Sequence, residues 1–368
     1  MSAFERLKIE IYGESHAPRI GLLLGGIPVG TLFSKCSIDS MLRRRRSGSN
    51  AWSTPRKEED DAVFASGVSA DGDSMTVTGD IEAYIENLNI KPQDYKNIST
   101  VPRPSHADYV SFVRYGSIPT GGGKFSGRLT AMLCVAGGIA KDMLAKRGIS
   151  VNAYVSKIGG IATGSYEDCD IELYGLSDSD KQRLETSVLP LLDASRERDV
   201  VEEIKRAAAD GDSVGGVIEC VITGLSAGEL GDNLFDGLEG KISYSVYGVP
   251  AVKGVEFGRG FDIADMRGSE ANDSFIVEGE RVVTKTNDSG GINGGISNGM
   301  PVTLRVAIRP TPSISKTQTS VDLTDMSECS LNVKGRHDAC IVPRAVPCIE
   351  SAVCMALLDE VLKQNGKN

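Results

Sequence analysis

Between Gly127 and Gly148 the sequence places Leu129, Met132, Leu133, Ala136, Ile139, Met143 and Leu144 on one helical face, then sets two adjacent glycines, Gly137 and Gly138, among them. Each glycine costs a helix about 1 kcal/mol relative to alanine. A helix that keeps both must gain something from them, and glycine offers a surface without a Cβ, against which another backbone can lie. The stripe predicts a helix, capped at Gly148, packed closely against another backbone. Further helices are expected over 199–210, stopped at Gly211, and over 349–365, where Val353, Ala356, Leu357 and Val361 share a side. Val302, Leu304, Val306 and Ile308 alternate as in a half-buried strand ending at Pro310, and 215–224 reads as another strand. Strands and helices interleave without regular strand–helix–strand units, so mixed α+β architecture is expected rather than a doubly wound sheet. No Pro/Ser-rich linker or internal repeat divides the chain, and residues 1–368 read as one domain.

Charge narrows the function. Forty Lys and Arg against fifty Asp and Glu leave a net charge of −10, which repels polyanions and argues against nucleic-acid or anionic-membrane binding. No apolar run approaches the ~18 to 20 residues a bilayer requires. Residues 1–10 carry charges throughout and lack a signal core, so a cytoplasmic, membrane-free protein is expected. Eight cysteines are scattered without a Cys-x-x-Cys pair, and His16, His106 and His337 show no i, i+4 spacing. Neither a disulfide framework nor a metal site is expected.

Chemistry concentrates in a few turns. Arg43 to Arg46 stand consecutively in an acidic chain. Arginine forks suit phosphate and carboxylate; the alternative is a solvated loop balanced by Glu58, Glu59, Asp60 and Asp61. All three histidines lie in turn-like contexts, Gly13-Glu14-Ser15-His16, Arg103-Pro104-Ser105-His106 and Gly335-Arg336-His337-Asp338, which suits proton transfer near neutrality. Gly121-Gly122-Gly123-Lys124-Phe125-Ser126 fails as a P-loop, because position 118 is Ile118 and Phe125 follows the lysine. It survives as a glycine-rich anion cradle at a helix N-terminus. Gly290-Gly291-Ile292-Asn293-Gly294-Gly295 lacks the dinucleotide spacing, and Arg309-Pro310-Thr311-Pro312-Ser313 closes a strand with a cation and two hydroxyls.

In order, GESHAPRIG (13–21), RRRRSG (43–48), RPSHADY (103–109), GGGKFSGRLTA (121–131), GDSVGG (211–216), PAVKGVEFGRGF (250–261), GGINGGISNG (290–299), RPTPSIS (309–315) and GRHDACIVPRAVPCIE (335–350) resemble the chorismate synthase family, nearly end to end. The resemblance implies a carbon–oxygen lyase that removes phosphate and the C6 pro-R hydrogen from 5-enolpyruvylshikimate 3-phosphate by 1,4-anti elimination. It also implies a need for reduced FMN without net redox change, NADPH as a potential flavin reductant, and a homotetramer. The implied fold is a β-α-β sandwich, with helices between two antiparallel four-stranded sheets.

Position by position, the resemblance gives His16, His106 and Asp338 the catalytic roles. Ser15, Arg45 and Arg103 become contacts for substrate or NADP. Flavin contacts fall on Lys124, Phe125, Ser126, Pro250, Ala251, Gly294, Arg309, Pro310, Thr311, Pro312, Ser313 and Arg336. The chain departs from the family pattern at Ala17 and Ser105, where glycine is usual, at Lys124-Phe125 in place of Arg-Ser, at Ala51 in place of arginine, and at Ala339 in place of proline. Two rivals share the arginines and the histidines. One is a flavin-independent sugar-phosphate lyase or transferase using His16 and His106 as acid and base; the other is a nucleic-acid module built on Arg43 to Arg46, against which the net charge argues.

Overall fold

A computed structural model describes the protein over residues 4–46, 59–87, 99–333 and 338–365. Its N-terminal part forms an antiparallel sheet from β1 (Lys8–Gly13), β2 (Arg19–Gly25), β3 (Leu32–Ser34), β4 (Val63–Asp71) and β5 (Ser74–Glu86), with α1 (Lys35–Arg45) running out of β3. The long β5 takes β4 along one edge, while β2 and β3 share the other and β1 pairs outside β2. Alternation decides which face is covered. Met75, Val77, Ile81, Ala83 and Ile85 of β5, with Ile20, Leu22 and Leu24 of β2, are all buried on one side.

A second antiparallel sheet follows the order β7 (Ile161–Ala162), β6 (Ser150–Ile158), β8 (Gly216–Thr223), the strand Val302–Ile308, and β9 (Val252–Phe257). Both strands expected here are present, and Val302 pairs with Ile222 across them. Each sheet is four long strands wide with one short strand added, β3 in the first and β7 in the second. The architecture is therefore the expected α+β sandwich.

Helices fill the space between the sheets. The polar stretch before the filling opens with α2 (Asp108–Tyr115). Next, α3 (Thr130–Ala145) packs toward β2 and β3, and the C-terminal helix Val342–Asn365 packs toward β6 and β8. The glycine argument holds in detail. A Cβ on Gly137 would lie 2.2 Å from the Ser351 side chain, and one on Gly138 would lie 2.6 Å from Ile38 Cα. The two glycines thus face different partners, the C-terminal helix and α1.

The 199–210 helix appears as Glu197–Ala209. The C-terminal helix begins seven residues before the expected start and carries Pro347 inside; the Ser351 hydroxyl donates back to the Pro347 carbonyl at 2.7 Å. Near its other end, Asp359 accepts the backbone N–H groups of Glu5, Arg6 and Leu7 at 2.7–2.9 Å, fastening the N-terminal segment to this helix. No helix among the described residues is long and apolar enough to cross a membrane.

Candidate active site

The four arginines do not act as a block. They occupy the last turn of α1 and the residue after it, where successive side chains point about 100° apart. Arg43 reaches Ser40 and Arg46 reaches Asp61 at the surface. Arg44 turns into the core, where it makes a bidentate pair with Glu350 at 2.5 and 3.1 Å. Glu350 also accepts from Ala153 N at 2.7 Å. Burial opposes its ionisation, but Arg44 and Lys141 overcome that and hold its carboxyl below the usual range. Only Arg45 turns to the cleft. It is 4% exposed, with Nη1 donating to Asp60 at 3.0 Å, Nη2 to the Gly127 carbonyl at 2.9 Å and Nε to Thr130 at 3.2 Å. Asp60 also pairs with Arg128, whose Nε donates to Asn87 at 2.9 Å.

A second network surrounds Asp108, the first residue of α2, which is fully buried. Its Oδ2 accepts from Arg103 N at 3.0 Å and Nε at 2.7 Å, and its Oδ1 from Arg103 Nη2 at 2.9 Å. His106 Nδ1 lies 2.6 Å from the same Oδ1. Burial alone would raise the Asp108 carboxyl; the hydrogen bonds from Arg103 and His106 outweigh it and keep the group well below the ordinary carboxylate range. An ionised oxygen at 2.6 Å demands a donor, which places the proton on Nδ1 and leaves Nε2 for the cleft. Arg103 Nη2 at 3.2 Å then faces that N–H as a second donor, a contact that Asp108 overrides. The remaining Arg103 nitrogen donates to Ser313 at 3.2 Å.

The glycine loop forms the wall between the histidines. Gly121, Gly122 and Gly123 all have positive φ (69°, 126° and 52°), a run that residues with a Cβ rarely adopt. Space is as short as torsion. A Cβ on Gly121 would sit 2.4 Å from His16 Nε2, while one on Gly122 would sit 3.7 Å from His106 Nε2. Both histidines therefore lie against neighbouring glycines of one loop. Ser15 anchors this arrangement, its N–H bonded to the Gly123 carbonyl and its hydroxyl to that of Thr120, each at 3.1 Å.

Opposite stands the turn after the Val302–Ile308 strand. Arg309 N–H donates to the Ala251 carbonyl at 3.0 Å and its guanidinium to that of Ser105 at 2.8 Å. Ala251 and Ser105 are both held at positive φ, 77° and 58°, costly for residues with a Cβ and tolerated where surroundings fix them. Ser105 thus adopts, despite its Cβ, a torsion that glycine takes freely, and Ala17 shows no positive φ. Asp338 pairs with Arg344 at 2.5 Å, and Arg344 Nε donates to the Arg45 carbonyl at 3.1 Å.

Arg45, Arg103, His106, Gly121, Arg128, Ala251, Arg309, Asp338 and Arg344 line one cleft of about 440 Å³, within the usual span of small-molecule sites. Five guanidiniums, from Arg45, Arg103, Arg128, Arg309 and Arg344, face three carboxylates, Asp338 at the surface and Asp60 and Asp108 behind. The apolar wall is made by Phe125, Val249, Pro250, Ala251, Pro312 and Ile341. Thr311 also lines the cleft, and its Oγ1 is buried without a hydrogen-bond partner among the described residues. A flat, apolar ring with polar edges suits this wall, and a polyanion suits the arginines.

Among the sequence candidates, His106, Asp338, Arg45, Arg103, Phe125, Ser126, Pro250, Ala251, Arg309, Thr311, Pro312 and Ser313 line the cleft. His16 stands behind Gly121, and Ser15 is buried in the loop contacts described above. Lys124 points outward, its ammonium 3.8 Å from the Tyr115 ring centroid. Pro310 is exposed beside the cleft, and Gly294 lies away from it, in the turn between the paired residues Asn293 and Ile296. Arg336 lies outside the described residues. Sequence reasoning missed Asp60, Asp108, Arg128 and Arg344 as members of the site, although Asp108, Arg128 and Arg344 fall inside the motifs quoted above.

Such an arrangement suits an enzyme that takes a small, multiply anionic substrate beside groups able to exchange protons. A family model described as chorismate synthase matches residues 7–362. The chain is 43% identical to chorismate synthase of Lancefieldella parvula, covering 98% of this chain and 97% of that protein. It is 40% identical to the enzyme of Dehalococcoides mccartyi, over 97% and 95%, and 40% identical to that of Korarchaeum cryptofilum, over 97% and 96%. A crystal structure of chorismate synthase shares its fold with a TM-score of 0.74 at 24% identity, covering 99% of this chain and 93% of the other. The chain belongs to the chorismate synthase family and is a carbon–oxygen lyase of aromatic amino-acid biosynthesis. That assignment selects the elimination over the sugar-phosphate reading.

Proposed function

We propose that the cleft performs the 1,4-anti elimination of phosphate from 5-enolpyruvylshikimate 3-phosphate with reduced FMN bound beside the substrate. The observation that carries this reading is the meeting, in one cleft, of five arginines, His106 and Asp338 with an apolar wall that includes the unsatisfied Thr311 hydroxyl. Arg45, Arg103, Arg128 and Arg344 neutralise the phosphate and carboxylates of the substrate. His16, behind Gly121, gives a proton to the departing phosphate. His106, its Nδ1 proton committed to Asp108, holds or moves a proton at Nε2. Asp338, poised by Arg344, carries away the proton left by the C6 hydrogen.

Phe125, Ser126, Pro250, Ala251 and the Arg309–Ser313 turn would hold the flavin. When bound, reduced FMN supplies electron density that eases loss of phosphate and is returned as the C6 hydrogen leaves. NADPH as its reductant, a cytoplasmic setting and residues 1–368 as one domain complete the reading. A homotetramer is part of the reading, and self-association is favoured by the exposed Leu234 and Phe235, 87% and 96% accessible, beside the turn that carries Gly294. Such apolar exposure is relieved by assembly.

The test is anaerobic turnover of the enolpyruvyl substrate with photoreduced FMN, following phosphate release, in the wild type and in His106→Ala. Wild-type release that requires reduced FMN, falling about 10²-fold or more in the variant, is the expected result. No release with reduced FMN overturns the function, and an unchanged rate in His106→Ala overturns the role given to that histidine.

A further inference from the structure

One pair of nucleophiles at the cleft has no part in the elimination. Cys348, on the C-terminal helix, lines the cleft beside Thr130, Arg45 and Arg344. Its Sγ lies 4.0 Å from Sγ of Cys134 on α3, and both thiols are free. One turn further along both helices, Gly137 meets Ser351 so closely that Ser351 Cα is 2.5 Å from where a glycine Cβ would stand. This contact clamps the two backbones together near the thiols, and close backbones are what a disulfide needs.

We propose that Cys134 and Cys348 form an oxidisable dithiol at the floor of the cleft, closed by hydrogen peroxide to a disulfide that halts turnover and reopened by a thiol reductant. The inference rests on the cleft being the active site. The environment singles out Cys348 as the attacking sulfur. The hydrogen bond from Cys134 and the Arg45 and Arg344 charges hold its thiol below the usual range against the opposing effect of burial, whereas burial pushes Cys134 up. Cys220, Cys340 and Cys354 are equally buried but do not line the cleft.

The chemistry balances. The Cys348 thiolate attacks one peroxide oxygen; the O–O bond breaks, an S–O bond forms, and hydroxide leaves to take up a proton. Cys348 is oxidised by two electrons to the sulfenic acid as the peroxide is reduced. The Cys134 sulfur, giving up its proton, then attacks the Cys348 sulfur and displaces hydroxide, which becomes the second water. Two thiols and one peroxide yield one disulfide and two waters. An external dithiol reverses the change by exchange. Drawing the sulfurs from 4.0 Å to the ~2.05 Å of a disulfide pulls on the first turn of α3. Thr130 stands there, bonded to both Arg45 and the Gly127 carbonyl, so the strain reaches an anion-binding guanidinium directly.

The experiment treats the full-length enzyme with one equivalent of hydrogen peroxide, removes the excess with catalase and blocks free thiols with an alkylating agent. Peptide mass spectrometry then reads the cross-link, and anaerobic phosphate release reads activity before and after dithiothreitol. The expected result is a Cys134–Cys348 cross-linked peptide, two hydrogens lighter than the reduced pair, with turnover lost and then restored on reduction. Cys134→Ala should start with wild-type turnover and give no cross-linked peptide under peroxide, its Cys348 stopping at a sulfenic acid that a dimedone probe traps and dithiothreitol reduces. Both cysteines remaining alkylatable after peroxide overturns the dithiol whatever the activity does. A cross-link that leaves turnover unchanged overturns the switch. Because the cross-link is read without substrate or flavin, its failure is distinguishable from failure of the functional reading.

Discussion

Replacing Asp108 by asparagine tests whether the buried carboxylate is what sets the cleft's geometry. Asp108 takes three bonds from Arg103 and one from His106, at 2.6 to 3.0 Å. Asparagine keeps the shape but turns one acceptor into a donor, so on either flip an N–H group faces Arg103 or His106, and the charge is gone. Removing one partner of a buried ion pair costs about 3–5 kcal/mol. With an unfolding entropy of ~2.1 cal/mol/K per residue, that loss lowers the melting temperature by roughly 4–6 °C for a chain of this length. The pH dependence carries the sign. Asp108 has a depressed pKa in the folded state, so its contribution is complete above the unfolded value near 3.8 and is lost as pH falls below it. The wild type and Asp108→Asn should therefore differ by a constant amount from pH 5 to 8, and the gap should narrow steadily as pH falls below about 4. Turnover should also fall, because His106 loses the partner that fixes its tautomer. Thermal unfolding across pH 3–8 measures the first effect and phosphate release the second. Equal melting temperatures at neutral pH, or a gap that persists undiminished in acid, would refute the reasoning.

Two further substitutions probe the helical layer. Gly137→Ala places a Cβ 2.2 Å from the Ser351 side chain, so α3 and the C-terminal helix must separate; a loss of about 1–3 kcal/mol is expected, and an unchanged midpoint in denaturant titration would dismiss the close-packing argument. Glu350→Gln leaves Arg44 buried without a counter-charge, and a loss of about 3–5 kcal/mol should appear as a lower urea midpoint with the cleft chemistry otherwise intact; a midpoint within error of the wild type would make the Arg44–Glu350 pair dispensable.

What the sequence disclosed, and what it hid, follows from the range of the forces involved. The central helix and the Val302–Ile308 strand were legible because their periodicity is local. The start of the C-terminal helix was not, since Pro343 and Pro347 look like helix breakers. Pro343 sits in the first turn, where its missing N–H is no loss, and Pro347 forfeits only the one bond to the Pro343 carbonyl, close to the helix start. The strand β5 keeps its inward residues in step from Met75 to Ile85, but Gly79-Asp80 interrupts the apolar pattern and obscures it. In the site, the motif residues were legible as types. Their partners were not, because Asp60 meets Arg128 across 68 positions and Arg103 meets Ser313 across 210. Spacing alone could show neither that Arg44 serves the core nor that Arg45 serves the cleft.

The placement of carboxylates explains how an acidic chain builds a site for anions. Asp60 and Asp108 are buried, at 3% and 0% exposure, and each lies behind the guanidiniums that it binds. Neutralising those arginines from behind compensates the cost of burying them while leaving their outward N–H groups directed to the cleft. Each carboxylate also serves two groups, Asp60 joining Arg45 to Arg128 and Asp108 joining Arg103 to His106. The cations are thereby fixed before any ligand arrives, so little ordering cost falls on binding or on the step in which phosphate departs. Asp338 is the exception, because it faces the cleft itself and pairs with Arg344 at its edge. A carboxylate placed there weakens anion binding, and the proton-acceptor role proposed for Asp338 gives that cost a purpose.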